Sequence, residues 1–133
     1  MSVEIINPDG LGPPRGFNHG MLAPGGGRVL FVAGQAALDA AGRIAAGGLV
    51  EQWDRALERV VAVVRAAGGS AEQVTRMTVY VTDLETYRAS LKRLGEVHRK
   101  HMGRHYPATT LLEVRALVDV GALVEIEATA VLP

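Results

Sequence analysis

The sequence contains no cysteine, and this absence excludes several kinds of site at once. A chain without thiols has no disulfide framework, no thiol nucleophile and no thiolate ligand for a metal. No apolar run reaches the roughly 20 residues that a membrane-spanning helix needs. The first residues lack the basic and apolar segments of a signal peptide. We therefore expect a cytoplasmic protein without a membrane partner.

Aromatic residues are few, and neither sign of charge is in excess. Fourteen basic residues balance fourteen acidic ones, and aromatic residues make up 5% of the chain. Nucleic-acid-binding proteins usually carry a basic stripe or an aromatic platform for bases, so we expect no nucleic-acid partner. What the chain does have is enough apolar sequence for one core. Its 133 residues, 48% of them hydrophobic, predict a single domain over residues 1–133.

The apolar pattern predicts an α+β domain with the order β-β-α-β-α-β-β. Apolar residues three and four apart indicate helices, whereas alternation and β-branched runs indicate strands. The expected elements are strands at 3–6 and 29–33, a helix at 49–67, a strand at 74–81, a helix from 84 that ends before Gly103, and strands at 107–114 and 122–131. Two helices that each follow a strand pack most simply on one face of one mixed sheet.

Three segments outside the regular elements have their own interpretation. Residues 11–27, rich in Gly and Pro, either connect a long hairpin or shape a pocket. The triple glycine at 25–27 lacks the context of a P-loop or a dinucleotide fingerprint, so we expect no nucleotide cofactor. Gly34-Gln35 interrupts the second strand, which suggests a bulge or a place where the backbone approaches another group closely.

The predicted sheet carries apolar residues on both faces, although two helices can cover only one. We expect Leu111 and Leu123 on one face, and Leu112 and Val124 on the other. Small domains rarely leave so much apolar surface in water. We infer that the second face packs against other subunits in a closed cyclic assembly.

A metal site is one possible use of the histidines. His98, His101 and His105 would share a helix face only if the second helix continued past Gly103. Basic residues surround these histidines and would repel a dication, and cationic residues are common at helix C-termini in any case. We therefore expect no metal.

The carboxylates of the last strand are the better candidates for chemistry. Glu125 and Glu127 lie on the polar face of an otherwise apolar strand, where a carboxylate buried without a partner is costly. Glu113 and Glu127 are most simply solvated or paired, with Arg115 the expected partner of Glu113. Glu125 is either a paired interface residue or a catalytic group.

Four motifs resemble those of the RidA/YjgF (YjgF/L-PSP) family. They are Tyr106-Pro107-Ala108-Thr109-Thr110-Leu111-Leu112-Glu113-Val114, Val124-Glu125-Ile126-Glu127-Ala128, Val32-Ala33-Gly34-Gln35 and Val79-Tyr80-Val81-Thr82-Asp83-Leu84. The resemblance implies a chorismate-mutase-like α+β fold and a homotrimer with ligand clefts between subunits. It also implies a hydrolase that converts reactive enamines and imines, such as 2-aminoacrylate, to a carbonyl compound and ammonia.

Glu125 stands where the family has its catalytic Glu, so the resemblance implies a general acid or base at this position. The backbone near Gly34 and Leu111 is implied to line the cleft. Three other site positions depart from typical deaminases: Thr109 replaces the Arg that pairs with the substrate carboxylate, Ala33 replaces a Ser, and Phe17 replaces a Tyr.

The missing Arg has a predictable cost. A charge-assisted pair with a carboxylate contributes about 1.5–3 kcal/mol, or about 10- to 150-fold in affinity. We therefore expect a deaminase with an altered ligand, neutral or larger, and weak or absent activity on 2-aminoacrylate. If an anionic substrate is nevertheless turned over, Arg15, Arg104 and His19 are the replacements to test. The alternatives are a non-catalytic ligand-binding or regulatory trimer and, less favoured by the neutral charge, a ribonuclease.

Overall fold

The computed structural model describes residues 3–45 and 47–133, which form an α+β fold. Its helices and strands are β1 (Glu4–Ile6), β2 (Gly20–Leu22), β3 (Arg28–Gln35), α1 (Leu49–Ala66), β4 (Val74–Val81), α2 (Leu84–Ala89), α3 (Leu91–Met102), β5 (Ala108–Glu113) and β6 (Val124–Leu132). In these ranges no helix has the length and apolar character needed to cross a membrane.

The main sheet has four strands in the order β3-β6-β4-β5. Strands β4 and β5 are parallel and the other neighbours are antiparallel, so the predicted mixed sheet is confirmed. The prediction of one sheet was wrong, because β1 and β2 form a separate antiparallel pair. Strand β2 lies within the Gly- and Pro-rich stretch and has three residues, too few for an alternating pattern to be visible.

The helices pack on one face of the main sheet and enclose the core there. Helix α1 buries the apolar stripe that its spacing predicted, including Trp53, Leu57 and Val60. The stripe meets the inward side of β6, where Val124 and Ile126 are fully buried. Helix α1 therefore lies on the side where the sequence pattern required apolar cover.

The second predicted helix is in fact two helices, because the chain leaves helical geometry at Ser90. This residue has φ −111° and ψ 9°, and its hydroxyl donates to the carbonyl oxygen of Thr86 at 2.7 Å. Such a bond to the preceding turn competes with regular helix geometry. A single break hardly disturbs the apolar spacing, so the periodicity did not reveal it. Leu91, expected in the buried stripe, is 53% exposed.

The other face of the main sheet, which we call the uncovered face, has no helix or strand packed on it within the described chain. It presents the side chains of Val29, Phe31, Thr78, Tyr80, Leu112, Glu125, Glu127 and Thr129. Phe31 is 79% exposed and Val29 is 53% exposed. The predicted placement of Val124 here was wrong, because alternation along β6 puts Val124 with Leu111 on the helix side.

Candidate functional site

A bulge in β3 brings the backbone of Gly34 next to Glu125. Val32 pairs with Ala128 and Gln35 pairs with Ile126, so two residues of β3 oppose one residue of β6. The bulge predicted at Gly34-Gln35 is therefore confirmed. A Cβ on Gly34 would lie 2.9 Å from Cδ and 3.0 Å from Cγ of Glu125, closer than real Cβ contacts come. Because glycine has no side chain, the Glu125 side chain can lie directly over the backbone at this position.

The carboxylate of Glu125 has no hydrogen bond or ion pair with any residue in the described ranges, whereas its neighbour Glu127 has a partner. The hydroxyl of Tyr80 donates to Oε1 of Glu127 at 2.7 Å. This hydrogen bond raises the pKa of the Tyr80 phenol, with partial burial and the charge of Glu125 acting in the same direction. The prediction that Glu127 is a paired structural residue fits this contact, and Glu125 is left available on the uncovered face.

A second group of predicted site residues lies around the loop of residues 12–19, which is tied to the start of β5. The side-chain amide of Asn18 donates to the carbonyl oxygen of Tyr106 at 2.6 Å, and its backbone amide donates to that of Pro107 at 3.3 Å. Asn7 in turn donates to Oδ1 of Asn18 at 2.8 Å. These bonds hold Phe17 beside Thr109.

The loop, the helices and β5 enclose a cavity of about 310 Å³, which we call the loop cavity. Its walls include Arg15, Phe17, Trp53, Tyr87, Thr109 and Leu111. Trp53 and Tyr87 stack with their ring centroids 5.9 Å apart. The Gly- and Pro-rich stretch therefore shapes a pocket, one of the two roles predicted for it.

Thr109 does not offer its hydroxyl to the loop cavity as a free donor. Its Oγ1 donates to the carbonyl oxygen of Pro107 at 2.9 Å. The cavity's charged group is Arg15, an exposed residue that is flanked by Pro14 and by Gly16 at φ 75°. His98 also lines the cavity, and burial lowers the pKa of its imidazole, so this ring is neutral at neutral pH.

The predicted site residues form two groups on opposite faces of the sheet. Thr109 and Leu111 align with Met77 and Val79 of β4, which point towards the helices. Glu125 aligns with Tyr80 and points away from them. Alternate residues of a strand face opposite sides, so Ala33, Gly34 and Glu125 cannot share a site with Phe17, Thr109 and Leu111 of the same chain.

The remaining predictions about polar side chains have mixed outcomes. Glu113 is not paired with Arg115: its Oε1 accepts from the backbone amide of Leu84 at 3.0 Å. The helix ends before Gly103 as expected, and the three histidines take separate partners. The ring Nε2 atoms of His98, His101 and His105 bond respectively to the carbonyl oxygen of His105, to the Asp54 carboxylate and to the carbonyl oxygen of Val74.

The comparison with protein families agrees with the motifs of the last two strands. A model of the family described as Endoribonuclease L-PSP matches residues 11–132. The chain belongs to this family. The resemblance to RidA/YjgF proteins is thus confirmed.

This L-PSP chain is similar to proteins with and without an assigned activity. It is 32% identical over 105 residues to the goat protein named 2-iminobutanoate/2-iminopropanoate deaminase, covering 78% of this chain and 73% of the relative. A Rid-family protein of unknown function from Yersinia pestis has 33% identity and a TM-score of 0.86, over 99% of this chain and 100% of its own. TdcF of Escherichia coli, solved with bound serine, has 30% identity and a TM-score of 0.68 over 88% of each chain.

Sequence reasoning did not assign three features of this L-PSP chain's candidate site. The sequence pattern predicts no role for Tyr80 beyond a strand residue, although its alternation with Thr78 on β4 gives it the same face as Glu127. Trp53 and Tyr87 belong to the apolar stripes of their helices. Helical spacing alone does not distinguish a residue that borders a cavity from one that packs in the core. Their contribution depends on the position of the 12–19 loop, which no local pattern indicates.

Proposed function

We propose that this protein is a Rid-family deaminase that hydrolyses an imine or enamine of a 2-oxo acid. The proposed site is a cleft between two copies of the chain in a homotrimer, and Glu125 is its general acid and base. The goat relative named 2-iminobutanoate/2-iminopropanoate deaminase supports this reaction class. The observation that carries the proposal is the Glu125 carboxylate, which lies over Gly34 on the uncovered face without a partner in the described chain.

The reaction needs one group that first accepts and then donates a proton. A 2-imino acid in its iminium form, R–C(=NH2+)–COO−, adds water at C2 and gives R–C(=O)–COO− and NH4+. The carboxylate of Glu125 takes a proton from the attacking water and returns it to the nitrogen of the tetrahedral intermediate. The C–N bond then breaks as Glu125 accepts the proton of the C2 hydroxyl, which gives the 2-oxo acid. Glu125 passes this proton to the departing ammonia, so NH4+ leaves and the carboxylate ends in its initial state.

A site between copies would unite the two groups of residues that one chain keeps apart. The face that carries Glu125 also carries Phe31 and Val29, whose exposure is unusual for a small domain and is typical of a contact surface. In a cyclic assembly each copy would give the Glu125 group to one neighbour and the loop cavity to the other. The homotrimer is the assembly that the family resemblance implies.

Complementation between two defective subunits tests this arrangement. Glu125→Gln removes the acid–base group, and Thr109→Trp fills the loop cavity, so each homo-oligomer should release little ammonia from an imine generated in the assay. Co-expressed and isolated as mixed oligomers, the two variants should recover about a quarter of the wild-type rate, because about a quarter of the clefts receive both intact halves. A mixture as inactive as its parents would show that the site does not lie between copies.

A non-catalytic ligand-binding trimer is the second candidate. The observation in its favour is the hydrogen bond of the Thr109 hydroxyl to the Pro107 carbonyl oxygen, which leaves position 109 without a free donor for a substrate carboxylate. This candidate predicts that 2-oxo acids bind while imines yield no ammonia above the uncatalysed rate. Measuring binding and ammonia release with the same preparation separates the two functions.

A further inference from the structure

The loop cavity combines one permanent positive charge with walls that are mostly apolar. Arg15 supplies the charge, and its guanidinium has no hydrogen bond or ion pair with the described part of the chain. The other lining residues described are apolar, aromatic or uncharged at neutral pH, and none of them is acidic. A cavity with these walls suits a ligand that has a single negative group and an apolar body.

The backbone on both sides of Arg15 is restrained. Pro13 and Pro14 restrict the backbone before it, because proline holds φ near −65° and restricts the residue before it as well. Gly16, at φ 75°, turns the chain directly after it. Asn18 then fastens the loop to β5 through the carbonyl oxygen of Tyr106. The backbone of Arg15 is therefore held at the rim of the cavity by restraints on both sides, and its side chain lies within reach of the cavity.

The size of the cavity exceeds what a three-carbon substrate needs. Its volume of about 310 Å³ lies at the lower end of the range of small-molecule sites. The stacked Trp53 and Tyr87 rings, with Met77 and Leu111, give it an apolar wall on the helix side. A branched or aromatic side chain would displace water from these walls, and each buried methylene strengthens binding about fourfold.

We propose that Arg15 binds the carboxylate of 2-oxo and 2-imino acids whose side chain is bulky and apolar, replacing the cation that Thr109 does not provide. The assignment of the reaction rests on the proposed deaminase function, but the assignment of binding does not. A guanidinium holds a carboxylate through two parallel hydrogen bonds, which neither Thr109 nor Phe17 can make. The specificity for bulky side chains follows from the apolar wall of the loop cavity.

Binding measured without turnover tests this proposal. The probes are 4-methyl-2-oxopentanoate, pyruvate and the uncharged methyl ester of 4-methyl-2-oxopentanoate. Affinities come from calorimetry, and the fluorescence of Trp53, the chain's single tryptophan, reports whether the ligand occupies the loop cavity. The wild type should bind 4-methyl-2-oxopentanoate more tightly than pyruvate and should change its fluorescence on binding.

Arg15→Gln should weaken the binding of 4-methyl-2-oxopentanoate about 10- to 150-fold and should leave the affinity for the ester unchanged. The double variant Arg15→Gln with Thr109→Arg should regain most of the lost affinity. Arg43→Gln, which alters an arginine in the turn between Leu38 and Ile44, is the matched control and should bind as the wild type does. A melting temperature for each variant verifies that it is folded.

The results separate this proposal from the deaminase function. Arg15-dependent binding without ammonia release from any imine would refute the deaminase and support the Arg15 assignment. Ammonia release with a KM that Arg15→Gln does not change would overturn the Arg15 assignment and leave the deaminase in place. The Arg15 assignment would also be overturned if Arg15→Gln and Arg43→Gln lost equal affinity for 4-methyl-2-oxopentanoate. It would be overturned as well if the wild type did not bind this oxo acid.

Discussion

At residue 34 the chain needs glycine for a steric reason that can be tested. A methyl group there would collide with the side chain of Glu125, which would have to turn away. Because that side chain is flexible, we expect Gly34→Ala to change the free energy of unfolding by less than about 1 kcal/mol. We expect ammonia release to fall about 100-fold, because a displaced acid–base group no longer meets the reacting water.

A double-mutant comparison shows whether this loss acts through Glu125. Gly34→Ala combined with Glu125→Gln should be no slower than Glu125→Gln alone, because the acid–base function that the methyl would disturb is already lost. Gly10→Ala is the matched control, since a Cβ at Gly10 meets no atom within 4 Å. Additive losses in the double variant would mean that Gly34 contributes independently of Glu125.

His98 gives the protein a predicted pH dependence of stability. Burial lowers the pKa of its imidazole, against the opposing effect of the hydrogen bond to the His105 carbonyl oxygen. In the unfolded chain the ring titrates at its ordinary value of 6.5, so below that pH the unfolded state binds more protons than the folded one. The contribution of His98 to stability is therefore complete above this value and is lost as the pH falls towards the lowered one.

Urea unfolding at several pH values measures this contribution. Between about pH 7.5 and pH 5.5 the wild type should lose more stability than His98→Gln, which keeps a donor for the carbonyl oxygen but cannot take up a proton. Between about pH 7.5 and pH 8.5 the two proteins should change in parallel. Equal losses on the acid side would show that His98 is not the group responsible.

Among the structural elements, the loop of residues 12–19 contacts segments that lie far apart in the sequence. Asn18 donates to Tyr106, which is 88 residues away, and accepts from Asn7. Without the first of these bonds the loop would lose its position over β5, and Arg15 and Phe17 would no longer border the loop cavity. Strand order and helix packing do not depend on this contact. Its loss should therefore weaken ligand binding without changing the fold.

Two substitutions at Asn18 test the role of the loop. Asn18→Asp keeps the acceptor for Asn7 but loses the donor to Tyr106, and Asn18→Ala loses both. Each should destabilise the protein by about 1–3 kcal/mol and weaken the binding of 4-methyl-2-oxopentanoate about tenfold. If Asn18→Asp binds the ligand as the wild type does, the bond to Tyr106 does not position the loop.

At the scale of the whole molecule, the uncovered face predicts association. Phe31→Glu would place a charge in an apolar contact and should convert the wild-type oligomer to a monomer in sedimentation velocity. If the chain associates as proposed, ammonia release should disappear together with association, because the proposed cleft needs two copies. Leu91→Glu changes an exposed apolar residue on the helix side and is the matched control. A wild type that is monomeric at micromolar concentration would refute the association.

Much of the fold followed from the sequence because the relevant signals are local. The helix stripe of α1, the bulge at Gly34 and the stop at Gly103 depend on residues a few positions apart. Asp83 caps α2 as the pattern at Thr82-Asp83 predicts, accepting from the backbone amides of Glu85 and Thr86. The break at Ser90 was missed because it changes one residue's dihedral angles without changing the apolar spacing.

The sequence alone determined the family, the strand that carries Glu125 and the absence of an Arg at position 109. Only the tertiary structure decided that Glu125 and Thr109 face opposite sides of the sheet, and that Arg15 borders the cavity beside Thr109. Alternation along one strand tells which residues share its face, but the register between strands tells which faces coincide. Segments far apart in the chain are brought together by the pairing of β4 with β5 and β6 and by the hydrogen bond of Asn18 to Tyr106. No local pattern encodes such pairings. The tertiary structure was therefore needed to show that the Glu125 group and the loop cavity lie on opposite faces of the sheet.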